Sequence, residues 1–130
     1  MNQTQPQLFV YSASAGSGKT FTIVKEYLKL CLSSKDSRKF KEILAITFTN
    51  KSAAEMKNRI LETLERISLQ EHDGTSQETE KLLLEELALE KDILIVRAKT
   101  VLSSVLHNYS DFSISTIDHF THRLVRTFAT

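Results

Sequence analysis

The chain has 130 residues, of which 41% are hydrophobic and 25% charged, and a formal net charge of +1. That length holds one domain at most, and the composition is that of an ordinary folded domain. No apolar run is long enough for a membrane span, Met1 to Gln7 is polar rather than leader-like, and the single cysteine, Cys31, can form no internal disulfide, so a cytoplasmic protein is expected.

Charge is unevenly spread. Residues 1–60 carry ten Lys and Arg against four Asp and Glu, residues 61–92 three against ten, and residues 93–130 four against two. The acidic excess sits in the middle, and basic segments flank it. Such flanks suit a phosphate-rich ligand, although solvated helix faces would give the same count.

Leu8 to Tyr11 reads as a buried strand. Ala13-Ser14-Ala15-Gly16-Ser17-Gly18-Lys19-Thr20 follows it and leads into a helix over Lys19 to Leu32, with Val24, Tyr27, Leu28 and Cys31 on one face. Strand, glycine-bearing loop, then Lys-Thr at a helix start is the pattern that cradles a nucleoside triphosphate. Loop N–H groups and the helix N-terminus meet phosphate oxygens, the lysine reaches the outer phosphates, and the threonine hydroxyl reaches Mg²⁺. The expected ligands are ATP and Mg²⁺, held by residues 13–20. Ala13 stands where the general pattern has its first glycine, so that position is expected to need no positive φ.

Ser33 to Ser37 is polar and loop-like, and Ile43 to Phe48 reads as a second strand. Its continuous apolar start suits a parallel sheet covered on both faces. Ala53, Met56, Ile60, Leu64 and Ile67 then form a helical stripe, with Asn50, or a Ser52–Glu55 box, marking its start. A loop over Glu71 to Thr75 precedes helices over Ser76 to Leu89, with Thr75 and Glu78 as a capping box, and over Asp92 to Tyr109. Ile93 to Val96 alone would pass for a strand, but Ala98, Leu102, Val105 and Leu106 continue at helical spacing. Phe112 to Thr116 is a third short strand and Asp118 to Phe128 a last helix, which Asp118 is placed to cap.

The order is β-α-β-α, a helical pair, then β-α, which predicts a parallel sheet with flanking helices. Three strands make a thin sheet, so part of a larger one is expected. Residues 8–70 and 112–128 form its core, and 76–109 a helical insertion. His119, His122, Arg123 and Arg126 cluster on the last helix, either near a ligand path or as a solvated face. Glu85, Glu86 and Glu90 read as a solvated face.

Ile43-Leu44-Ala45-Ile46-Thr47-Phe48-Thr49-Asn50-Lys51-Ser52-Ala53-Ala54-Glu55-Met56-Lys57-Asn58-Arg59-Ile60 resembles motif Ia of the UvrD/Rep/RecB branch of superfamily 1 DNA helicases. Those proteins also carry a phosphate loop with alanine at its first position. Ser115-Thr116-Ile117-Asp118-His119-Phe120 stands where their motif Ib lies, with Asp118 at the usual histidine position. The loop and the Thr-Ile form look closer to the RecB and AddA helicase–nucleases. The resemblance implies an incomplete P-loop, RecA-like domain, the N-terminal portion of a helicase ATP-binding domain spanning 1–130. Its implied partners are single-stranded DNA, a second RecA-like domain in the remainder of the chain, and a nuclease partner subunit; no membrane is implied. By the same resemblance, Lys19 and Thr20 serve catalysis, while Phe48, Thr49, Asn50, Lys51 and Thr116 contact DNA. Phe48 either stacks on a base or is a core aromatic at the strand end.

The acidic pair by which this branch holds Mg²⁺ and orients water is not found here: His119 follows Asp118, and Glu85-Glu86 lies in a helical pattern. A fragment without its own hydrolytic competence is therefore expected. Small-molecule kinases and non-catalytic ATP-binding modules also carry phosphate loops, but a kinase is not expected to show Thr47 to Lys51 after its second strand.

Overall fold

Three short strands lie side by side in the computed structural model, which describes residues 7–10 and 18–128. They are β1 (Gln7–Val10), β2 (Ile43–Thr47) and β3 (Ser113–Thr116). Their order is β1-β2-β3 and both pairings are parallel, with Val10 opposite Ile46 and Thr47 opposite Thr116. The helices are α1 (Gly18–Leu32), α2 (Asn50–Leu69), α3 (Gly74–Leu87), α4 (Lys91–His107) and α5 (Ile117–Phe128). Single 3₁₀ turns at Lys39–Glu42 and Tyr109–Asp111 lead into β2 and β3. The chain is mostly helical, with a small parallel sheet.

Right-handed crossovers between neighbouring parallel strands put the connecting helices on one face of the sheet, and α1 packs against α2, α3 and α4 there. Alternation along β2 turns Ile43 and Ala45 to that face and Ile46 to the other. Ile43, Ala45 and Ile114, the register partner of Ala45, accordingly join the main apolar cluster, and Ile46 does not. The predicted stripe of α2 is the buried one, from Ala53 through Met56, Ile60 and Leu64 to Ile67. It meets α4, β3, α1, α3 and β2. Cys31 is a buried free thiol whose pKa burial pushes up, as for a small hydrophobe. Residues 93–96 are helical, inside α4.

Three helix starts differ from expectation. Thr49, not Asn50 or a Ser52–Glu55 box, caps α2, its hydroxyl accepting from the Ser52 N–H at 3.0 Å. Asp73, not Thr75, caps α3 in a reciprocal box with Ser76. At α5 the Thr116 hydroxyl accepts from the His119 N–H at 3.2 Å, and Asp118 lies inside the helix. In each case the oxygen nearest the orphan N–H groups belongs to the residue just outside the helix, one to three places before the predicted cap.

Glu86 is exposed, as expected of that face, and it is also paired. Its two carboxylate oxygens take Lys25 Nζ at 2.7 Å and Lys29 Nζ at 3.0 Å, which bridges α3 to α1. Glu85 and Glu90 are exposed. The Lys25 bond, then the Lys29 bond, holds the Glu86 carboxyl below its ordinary pKa, and Glu86 raises Lys25 above its own. The Ser76 N–H lowers Asp73 in the same way. A carboxyl lowered by folding contributes stability above its unfolded pKa and loses it as pH falls through the folded one; a raised lysine contributes until pH climbs past its folded pKa. Stability is therefore expected to be level at neutral pH and to fall as pH drops below the ordinary carboxylate range. Urea unfolding across that window checks this: Glu86→Gln should have a lower midpoint at neutral pH and a flatter acid limb, and an acid limb identical to wild type would contradict the bridge.

Candidate nucleotide and nucleic-acid edge

Parallel pairing brings the carboxyl ends of β1, β2 and β3 to one edge of the sheet. A helix starts after each: α1 at Gly18, eight residues beyond Val10; α2 at Asn50, after the two-residue link Phe48–Thr49; and α5 at Ile117, directly after Thr116. Each start carries N–H groups with no partner inside their own helix and the positive end of a helix dipole. Three such ends on one edge form a surface suited to anions, at the place where open α/β sheets bind ligands.

The predicted phosphate-loop residues Ala13, Ser14, Ala15, Gly16 and Ser17 lie outside the described residues. Gly18, Lys19 and Thr20 are the first three residues of α1. The context their pattern requires, a strand before and a helix after, is present.

The β2–α2 link is described in full. Phe48 is 55% exposed, which excludes a core role for its ring. Thr49 is extended (φ −128°, ψ 154°), and its hydroxyl both accepts from Ser52 N–H and donates to Ser52 Oγ at 2.9 Å. Asn50 and Lys51 are exposed in the first turn of α2, where their N–H groups have no partner within the helix. The link thus presents an aromatic face, a cation and a helix N-terminus within four residues.

Thr116 is placed differently. It is 7% exposed, and its hydroxyl oxygen is engaged by the His119 N–H. It shares the edge with Phe48 to Lys51 but caps α5 instead of standing open to solvent. Of the basic cluster predicted on that helix, His119, His122 and Arg126 are exposed, and the Arg123 side chain lies outside the described residues.

Sequence reasoning passed over Thr47. It ends β2 at 2% exposure, with its Oγ1 3.1 Å from the Thr49 carbonyl and 3.4 Å from that of Ser115. The signal was a polar residue closing an otherwise apolar strand, at a position that alternation turns inward.

Elsewhere, an apolar hollow of about 450 Å³ lies beside Ser34 and Lys35, against Ile93, Val96 and Val101 of α4. It adjoins the end of α1, away from the strand carboxyl ends. Among the described residues, no group of three or more His, Cys, Asp or Glu could hold a metal ion, and no helix is long and apolar enough to cross a membrane.

A family model described as the UvrD/REP helicase N-terminal domain matches residues 1–130. Over 60 residues the chain is 42% identical to proteins from Bacillus cytotoxicus and Bacillus thuringiensis that are each named as one subunit of an ATP-dependent helicase/nuclease. The matched stretch is 46% of this chain and 5% of each relative. No solved structure matches it significantly.

Thr49 is both a predicted contact and a helix cap, and its capping role can be measured alone. Thr49→Ala should lower the free energy of unfolding by about 1 kcal/mol, the usual worth of a threonine cap. An unchanged urea midpoint would contradict the capping bond.

Proposed function

The chain belongs to the UvrD/REP helicase N-terminal domain family, and from that membership we propose that it is the ATP-binding, single-stranded-DNA-contacting portion of an ATP-dependent DNA helicase or helicase–nuclease. Its fold is then the first part of a P-loop, RecA-like domain, with α3 and α4 as an insertion between the β2 and β3 units. The whole motor would act on DNA in repair or recombination in the cytoplasm. It would be completed by a second RecA-like domain and, as the names of the Bacillus helicase/nuclease relatives suggest, by a partner subunit.

One observation carries the reading: the helix that opens on Gly18-Lys19-Thr20 and the exposed Phe48–Lys51 link begin on the same edge of one parallel sheet. A nucleotide and a strand of DNA would then both be held on one edge of the sheet. The residues present fit the triphosphate: a strand, then residues 13–17, then a helix whose first residues include Lys19 and Thr20. Lys19 would neutralise charge on the outer phosphates, and Thr20 would take Mg²⁺. When bound, ATP with Mg²⁺ supplies the phosphoryl group whose hydrolysis drives the motor.

At the DNA side, the Asn50 and Lys51 N–H groups and the Lys51 ammonium would hold backbone phosphate, while Phe48 would stack on a base. Stacking of this kind contributes about 1–3 kcal/mol per base and tolerates any sequence. No strand among the described residues ends in an acidic pair, so water activation is left to residues outside the chain.

The purified chain tests both halves. It should bind oligothymidine with an affinity that falls as salt rises, the logarithmic slope gaining about −0.7 for each phosphate held. It should bind ATP through Lys19 and show no DNA-stimulated hydrolysis. Vigorous DNA-stimulated hydrolysis abolished by Lys19→Ala would overturn the incomplete site, and absence of salt-sensitive DNA binding would favour a kinase or a non-catalytic ATP module.

A further inference from the structure

Ile43, Leu44, Ala45 and Ile46 make β2 apolar, and Thr47 ends it with a buried hydroxyl. Valine has the same branching and strand preference and would fill nearly the same space. A hydroxyl there costs free energy unless it is hydrogen-bonded. Its one hydrogen has two carbonyl oxygens within reach, that of Thr49 at 3.1 Å and that of Ser115 at 3.4 Å. The first belongs to the link that bears Phe48. The second belongs to the neighbouring strand, one residue before Thr116.

We propose that Thr47 is a positioning residue whose buried hydroxyl, sharing its one hydrogen between the Thr49 and Ser115 carbonyls, ties the Phe48–Thr49 link to the end of β3, and so sets the direction in which the link presents Phe48 and the first α2 N–H groups to a DNA strand. This rests on the DNA-contacting reading above. The sheet does not need the tie, because β2 and β3 pair through their backbones from Leu44–Ser113 to Thr47–Thr116. Helix α2 does not need it either, because the Ser52 N–H and the Ala53 N–H still bond the Thr49 hydroxyl and carbonyl. What depends on it is the angle at which the link leaves the sheet, and with it the direction of the exposed Phe48 ring and of the first α2 N–H groups. A nucleic acid held by the link depends on that angle; a folded core does not.

Three variants of the chain, titrated with fluorescein-labelled oligothymidine at several salt concentrations and unfolded in urea alongside, separate the possibilities. Thr47→Val should unfold cooperatively, bind about fivefold more weakly, as for one lost hydrogen bond, and show a shallower salt slope. Thr47→Ser, which keeps the hydroxyl, should restore wild-type affinity and slope. Thr47→Val with wild-type affinity and slope overturns the inference, as does Thr47→Ser binding as weakly as the valine variant. Loss of cooperative unfolding in Thr47→Val also overturns it, since the hydroxyl would then hold the core. Phe48→Ala separates this from the underlying reading: it should bind more weakly whatever Thr47 does, and wild-type binding by Phe48→Ala would remove the DNA contact itself.

Discussion

Parallel pairing of β1, β2 and β3 is the constraint on which the rest of the molecule depends. A parallel strand cannot be reached by a tight turn, so the chain must recross the sheet after each strand. In this chain every recrossing begins with a helix start on the same edge. The polar ends of α1, α2 and α5 are therefore collected at one place by topology alone, before any side chain is considered. The apolar return faces of α1 and α2 are forced against the sheet and against each other, and this makes the core.

The acidic middle has a mechanical explanation. Helices α3 and α4 add an apolar layer around α2, with Leu83, Leu94, Ala98, Val101 and Val105 buried. Glu86 fastens α3 to the two lysines of α1. The turn between α2 and α3 is held by Arg66, which reaches Glu62 and the Glu71 carbonyl, and by Glu80, which is 5% exposed and is met by Gln70 and His72. Glu62, Asp73, Glu80 and Glu86, of the ten acids between residues 61 and 92, are thus paired within the chain. The basic flanks keep exposed cations, with Lys51 at the strand edge in the first turn of α2 and Arg126 in the last turn of α5.

Long periodic elements could be read from the sequence because their information is local. The stripe from Ala53 to Ile67 and the continuation of Ile93–Val96 into Leu102 and Val105 each fill several turns, and tertiary contacts only confirm them. The parallel sheet followed from the alternation of elements, whereas the strand order β1-β2-β3 came from the structure. Helix starts were less legible, because Thr49, Asn50 and Ser52 are all competent caps and only the backbone angle at Thr49 decides among them. The pairings of Glu86 and Thr47 could not be read at all. Their partners lie 61 residues away at Lys25 and 68 away at Ser115, and no local pattern carries such a pairing. The exposure of Phe48, which rules out a core ring, likewise depends on what the fold leaves uncovered.

The opposite edge of the sheet offers a rival surface. Tyr109, 45% exposed just before β3, has Lys57 Nζ 5.2 Å from its ring centre, an aromatic with a cation much as single strands favour. Placing a benzophenone side chain at position 48 or at position 109 and irradiating the chain with bound oligothymidine decides between the two edges. Crosslinking from position 48 and none from position 109 is the predicted result. Crosslinking from position 109 alone would contradict the assignment of DNA to the strand carboxyl edge.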